Sequence, residues 1–166
     1  MASQVKPIPP GYHTATPYLV VNGAARAIEF YKKAFGAQEL FRMGGPGGKI
    51  GHAEIKIGDS PIMLSDEMAH NKSPESLGGS PGGIFLYVED VDAAFDRAIS
   101  AGAKEEMRPT NMFWGDRFGS LKDPFGHSWS LATHIEDVAP EEMEKRSREW
   151  MSQMSQMAQS ASQGGG

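Results

Sequence analysis

The chain has 166 residues, no cysteine and a net charge of −5 from 16 basic and 21 acidic residues. This length suits one domain with a real core, and the missing cysteine excludes disulfides, thiolate metal sites and cysteine nucleophiles. The basic residues are scattered, so no basic stripe is available for nucleic-acid phosphates. No apolar run approaches the roughly 18 residues of a membrane span, and the first ten residues lack the apolar stretch of a secretory signal. A cytoplasmic protein with no nucleic-acid or membrane partner is expected.

In chain order, residues 1–15 form an extended lead-in, because Pro7, Pro9 and Pro10 each fix φ and remove a backbone donor. A first unit follows over 16–67. Residues 16–21 are an apolar, β-branched run ended by Asn22-Gly23, as a strand would be. Ala24, Ala27, Ile28, Tyr31 and Phe35 have helical spacing, and Gly36 stands where a C-terminal cap belongs. Strands are predicted at Glu39–Met43, Ile50–Ile57 and, after the turn at Gly58-Asp59-Ser60-Pro61, Ile62–Asp66. Gly and Pro then mark 68–83 as a flexible linker.

The second unit, 84–136, repeats this order. It predicts a strand at 84–88, a helix from Val91 to Ala101 announced by the acidic Glu89, Asp90 and Asp92, a strand near Glu105–Arg108, and two strands flanking Asp123-Pro124-Phe125-Gly126. Residues 137–166 start as a helix at Pro140 and end in a Met-, Ser- and Gly-rich tail expected to be disordered. The repetition is visible in the residues. A shift of 67 positions lays Tyr18-Leu19-Val20-Val21 on Phe85-Leu86-Tyr87-Val88, and Ile62-Met63-Leu64-Ser65 on Trp129-Ser130-Leu131-Ala132. Two copies at so long a period indicate a duplicated module, because a solenoid needs three or more repeats.

Ile28-Glu29-Phe30-Tyr31 before Phe35-Gly36-Ala37, Val88-Glu89-Asp90-Val91-Asp92-Ala93, and Asp123-Pro124-Phe125-Gly126-His127 resemble the vicinal oxygen chelate superfamily of glyoxalases, extradiol dioxygenases and antibiotic resistance proteins. Gly51-His52-Ala53-Glu54, Met63-Leu64-Ser65-Asp66-Glu67, Trp114-Gly115-Asp116-Arg117 and Thr133-His134-Ile135-Glu136-Asp137 are similar to its PhnB-like subgroup. The resemblance implies an α+β fold of two βαβββ modules, whose strands make a cupped eight-stranded mixed sheet with helices on the convex side. It also implies a homodimer. The metal-dependent members take ligands from the first and last strands of each module, and those places fall on Thr16, Met63, Gly83 and Ser130. None is a competent ligand for a divalent ion, so no metal or other cofactor is expected.

Strand parity sets out the remaining candidates. With Leu19, Val21, Ile62, Leu64, Leu86, Val88, Trp129 and Leu131 toward the helices, the other face carries Thr16, Tyr18, Val20, Met63, Ser65, Phe85, Tyr87, Ser130 and Ala132. Such a face suits a flat, largely apolar small molecule. His52 and Glu54 alternate with the apolar Ala53 and Ile55 and join that face, where they are half of a metal site or the polar side of an ordinary strand. Lys56 beside them opposes a cation. In the loop 111–118, Trp114 and Arg117 are candidates for ligand contact, with Arg117 suited to a carboxylate or phosphonate. A pairing of Asp116 with Arg117 that locks the turn is the structural alternative. His127 is expected to bond locally.

The reading is a small-molecule-binding protein without the usual metal ligands, which holds an apolar or aromatic ligand in the cup between the modules, with Tyr18, His52, Glu54, Met63, Ser65, Phe85, Tyr87, Trp114, Arg117 and Ser130 lining the site. Two alternatives stand: a lyase- or dioxygenase-type enzyme with a displaced metal, and a dimeric scaffold assembled through Met143, Trp150, Met151, Met154 and Met157. Whether a reaction is catalysed is left open, and no catalytic residue is assigned.

Overall fold

The computed structural model describes residues 5–163. Its elements are β1 (Tyr18–Val21), α1 (Ala24–Phe35), β2 (Gln38–Gly44), β3 (Ile50–Ile57), β4 (Ser60–Asp66), α2 (Pro74–Leu77), β5 (Gly83–Tyr87), α3 (Val91–Ala101), β6 (Lys104–Asn111), β7 (Asp116–Lys122), β8 (Ser128–His134) and α4 (Pro140–Gln163). The order is βαβββ twice. The eight strands are hydrogen-bonded as two sheets of four, β1-β4-β3-β2 and β5-β8-β7-β6. In each, the first strand runs parallel to the last and the other pairs are antiparallel. The fold is α+β, as expected. Among the described residues no helix is long and apolar enough to cross a membrane.

The duplication extends to how each helix begins. Asp66, which ends β4, accepts from the backbone N–H groups of Gly23 and Ala24 at 2.8 and 2.9 Å and from Ile50 at 2.7 Å. Thr133, 67 positions on, accepts from Val91 N–H at 2.8 Å and donates to the Val88 carbonyl at 2.9 Å. A last-strand side chain thus satisfies the free N–H groups at the start of its own module's helix. Three backbone donors hold Asp66 below the usual carboxylate range, against the opposing effect of its burial. Asp90 adds a cap to α3 through Ala93 N–H, and Gly36, at φ 66°, closes α1.

Each helix covers its own sheet, and the helices pack on each other, so both modules share one core. Phe35 of α1 lies 4.4 Å between ring centroids from Trp129 of β8, and Arg97 of α3 donates to the Ala34 carbonyl at 3.0 Å. Asp123 lies at the centre of this junction, in the turn before β8. Its carboxylate accepts from Tyr31 Oη and Trp129 Nε1, each at 2.8 Å, and from the backbone N–H groups of Phe125 and His127. Burial first, and then the Asp123 charge, push the Tyr31 hydroxyl well above its ordinary pKa, so it remains a donor. Instead of bonding locally, the His127 ring reaches the Val20 carbonyl of β1 at 2.9 Å and ties the second module to the first.

Two expectations about the connecting segments change. The stretch 68–83 contains α2, anchored by a buried Ser73. Ser73 and Ser76 donate to Glu67 at 2.9 and 2.6 Å, and Lys72 pairs with it. These hydroxyls, Ser76 first, pull the Glu67 carboxyl down to about 2. The Gly-rich composition concealed this Ser-x-x-Ser cap. Likewise, the Met- and Ser-rich tail continues as α4 through Gln163, and 164–166 lie outside the described residues. The start of α4 is clamped by Arg146, whose guanidinium grips Glu136 at 2.8 and 2.9 Å, and by Trp150 against Phe113 at 5.6 Å. From Met151 on, Met151, Met154 and Met157 are exposed.

Replacing Asp123 with Ala strips four donors of their buried acceptor and is expected to destabilise the chain by about 3–5 kcal/mol, whereas Tyr31→Phe costs about 1 kcal/mol. Urea unfolding compares them, and similar midpoints for the two variants would remove Asp123 from its central role.

Candidate functional site

The helix-facing side of each sheet is spent on the core, which leaves the opposite faces as candidate sites. Pairing places their side chains in rows across the strands. In the first sheet, one row reads Tyr18, Met63, Glu54, Phe41; beside it Val20 pairs with Ser65, and His52 with Met43. In the second, Phe85, Ser130 and Ser120 form one row, and Tyr87, Ala132, Phe118 and Thr110 another. Tyr18, Phe41, Met43, Phe85 and Tyr87 are exposed.

On the first face the polar groups form a chain. The Tyr12 hydroxyl, from the lead-in, donates to Glu54 Oε2. Glu54 Oε1 lies 3.2 Å from His52 Nε2, and His52 Nδ1 lies 3.3 Å from Tyr18 Oη. The rings of Tyr18 and Phe41 flank His52, with centroids at 5.7 and 6.3 Å. Tyr12 foremost, with His52 adding to it, holds Glu54 below the usual carboxylate range against the effect of partial burial. The carboxylate in return raises the Tyr12 hydroxyl to about 12.

The second face is an aromatic platform organised by one buried carboxylate. Phe85 lies 5.0 Å from Tyr87 and 5.6 Å from Phe118, and Trp114 lies 5.8 Å from Phe118. Asp116, 3% exposed, accepts from Tyr87 Oη and Trp114 Nε1 at 3.0 Å each and faces His134 Nδ1 at 2.8 Å. Two rings are thus fixed by their polar tips, while their apolar faces stay open to a ligand. His134 Nε2 meets Asp137 at 2.9 Å. Asp137 first, and Asp116 with it, raise the His134 pKa above its ordinary value.

The sequence candidates divide between these faces. Tyr18, His52, Glu54 and Met63 come together on the first; Phe85, Tyr87, Trp114 and Ser130 on the second. Among the described residues, no hydrogen bond or ring contact joins the two sets. Ser65 has the expected parity but is buried, a short side chain beside Val20. Arg117 faces the helices, because adjacent residues of a strand point to opposite sides. It pairs with Asp92 at 2.6 and 2.7 Å and with Asn111 at 3.1 Å, so the anticipated Asp116–Arg117 pair does not form. Sequence reading left out Tyr12, Phe41, Phe118 and the organising role of Asp116. Parity finds Phe118 once β7 is known to start at Asp116; a lone aromatic in a Pro-rich lead-in was the only sign of Tyr12.

The four places where metal-dependent relatives carry ligands do not fit a metal here. Thr16 precedes β1, Met63 offers a thioether and Ser130 a hydroxyl. Gly83 leaves no room for a longer residue, since a Cβ there would stand 2.7 Å from the Ser128 carbonyl oxygen. Among the described residues no three His, Asp or Glu side chains are grouped to hold an ion, and His52 with Glu54 supplies fewer than the three protein ligands of a catalytic zinc.

Residues 12–131 match the family model for the Glyoxalase/Bleomycin resistance protein/Dioxygenase superfamily. An uncharacterized protein of Mycobacterium tuberculosis is 48% identical over 134 residues, which cover 78% of this chain and 79% of that one. Among solved structures, TioX from Micromonospora sp. ML1 superposes with a TM-score of 0.59 at 24% identity, covering 76% of this chain and all of TioX. The PhnB protein from Bacillus cereus gives 0.57 at 18% identity, covering 73% of this chain and 99% of that one. At these identities the two structures speak for the fold alone.

The two carboxylates at His134 imply a sign for its pH dependence. A raised folded pKa means that protonated His134 stabilises the fold fully below its unfolded pKa of about 6.5, and that this contribution is lost as pH rises through the folded value. The melting-temperature deficit of His134→Gln is therefore expected to be larger at pH 5.5 than at pH 9. An equal deficit at both would show that the charge has no part in the contact.

Proposed function

Because the chain belongs to the Glyoxalase/Bleomycin resistance protein/Dioxygenase superfamily, we propose that it is a small-molecule-binding protein that holds a flat apolar or aromatic ligand on its helix-free sheet faces. The observation that carries this reading is the platform of Phe85, Tyr87, Phe118 and Trp114. Its rings are exposed or half-exposed, yet two of them are positioned by a buried carboxylate. Pre-set aromatic rings suit stacking with little loss of side-chain freedom on binding. Ser130, beside Phe85 in the sheet, offers a hydroxyl to orient the ligand.

A second copy of the chain is part of this reading. Both faces turn away from the common core, so neither walls in the other. A ligand enclosed on most of its surface needs another wall, and a partner's sheet face of the same apolar character supplies one. The exposed Met151, Met154 and Met157 of α4 add apolar surface to such a dimer.

Thermal-shift screening with planar aromatic compounds is expected to find ligands that raise the melting temperature. Phe85→Ala should weaken them by roughly tenfold, about 1.4 kcal/mol. Sedimentation should give twice the chain mass. Binding unaffected by both Phe85→Ala and Phe118→Ala would sink the platform as the site, and a monomer that binds with full affinity would remove the partner wall.

A further inference from the structure

Residues 5–17 hold to the body of the protein at few points. Every residue in this stretch is exposed except Tyr12 and Thr16, which are half-buried. The lead-in's own backbone bond, Tyr12 N–H to the Pro9 carbonyl, is internal, and the Pro17 carbonyl accepts from Met63 N–H where β1 begins. Among the described residues upstream of that junction, the hydrogen-bonded tie to the sheet is one side chain: the Tyr12 hydroxyl, which donates to Glu54. Pro7, Pro9 and Pro10 stiffen the segment, and its apolar Val5 and Ile8 are left in solvent. A chain held this way is a strap with a single buckle.

The buckle also has the form of a ligand. Glu54 lies between Met63 and Phe41 in the row that starts at Tyr18, and His52 closes the edge with its ring beside Tyr18 and Phe41. This ring of aromatic and thioether surface surrounds a carboxylate whose two oxygens have separate partners, His52 on one and a phenol on the other. We infer that the first sheet's helix-free face is a binding site for a hydroxyaromatic molecule, and that Tyr12 is a built-in occupant which such a molecule displaces. This rests on the small-molecule-binding reading and names the ligand class of the face that the platform leaves unassigned. Glu54 accepts the ligand's hydroxyl in place of Tyr12, and Tyr18, Phe41 and Met63 contact its ring. A ring without a hydroxyl leaves the carboxylate without its donor, so the site discriminates by the bond itself.

Competition from the tethered residue fixes what the strap does to affinity. A ligand that binds only the open state has its apparent affinity reduced by the open fraction. A strap closed about nine-tenths of the time weakens binding about tenfold.

The test uses p-cresol, the free counterpart of the Tyr12 side chain, and toluene, which lacks the hydroxyl. Titration of the full-length chain is followed through the amide resonances of Tyr18, His52 and Glu54 on the first face and of Phe85 and Phe118 on the second. Tyr12→Ala is expected to bind p-cresol about tenfold more tightly than the unaltered chain, and to prefer it to toluene. Glu54→Gln added to Tyr12→Ala should abolish that preference. Circular dichroism before and after heating checks that each variant is folded; Tyr12→Phe, which keeps the ring and loses the hydroxyl, is expected to fall between the other two. Equal p-cresol affinities for the unaltered chain and Tyr12→Ala overturn the strap, and so does p-cresol that perturbs only Phe85 and Phe118. If planar aromatics bind the platform while p-cresol ignores Glu54, this inference falls and the proposed function stands. If no aromatic compound perturbs either face, both fall.

Discussion

The buried carboxylate of Asp123 holds the two modules in one relation, with their helix-facing sides in a shared core and their helix-free faces left outside it. It belongs to the second module by sequence, yet it bonds Tyr31 of the first and Trp129 of its own. A buried carboxylate is costly unless all its oxygens are engaged. Four donors meet that demand, two from side chains and two from the turn's own backbone. The turn, the α1 helix and β8 are therefore fixed by one group. His127, which the same carboxylate orients through its backbone N–H, extends the link to the β1 edge.

Duplication explains the frame and divergence explains the faces. Asp66 and Thr133 occupy equivalent positions and do equivalent work at the starts of α1 and α3, one with a charge and the other with a hydroxyl. The helix-free sides share no such equivalence. The first has the polar chain of Tyr12, Glu54, His52 and Tyr18, whereas the second has rings gathered on Asp116. Helix starts are constrained by backbone donors that every copy of the module must satisfy. An exposed sheet face has no such obligation, so its side chains are free to follow a ligand.

Much of this frame was legible in the sequence. Helical spacing from Ala24 to Phe35 and the Gly36 cap gave α1 at its observed bounds, and alternation from Ile50 to Ile57 gave β3 at its own. Parity placed Tyr18, Met63, Phe85 and Ser130 away from the helices, as the register has them. What could not be read were contacts between residues far apart in the chain. Nothing local to Asp116 tells that Tyr87 and His134 converge on it, and nothing in the lead-in tells that Tyr12 crosses to Glu54. Arg117 was misplaced for a related reason: its orientation follows from the residue at which β7 starts, and strand ends are the least legible feature of a sequence.

Gly83 shows how strand pairing limits what the second face can carry. A ligand residue at that place needs a Cβ, and the Ser128 carbonyl stands 2.7 Å from where it would lie. That carbonyl belongs to the β8 strand paired in parallel with β5. Placing a His or Glu there therefore requires the two strands to shift. The same pairing brings Ser130 beside Phe85 and Ala132 beside Tyr87, and small residues next to large rings leave the ring faces uncovered. The register that crowds position 83 is thus the one that opens the aromatic surface, and the two features stand or fall together as properties of one strand pair.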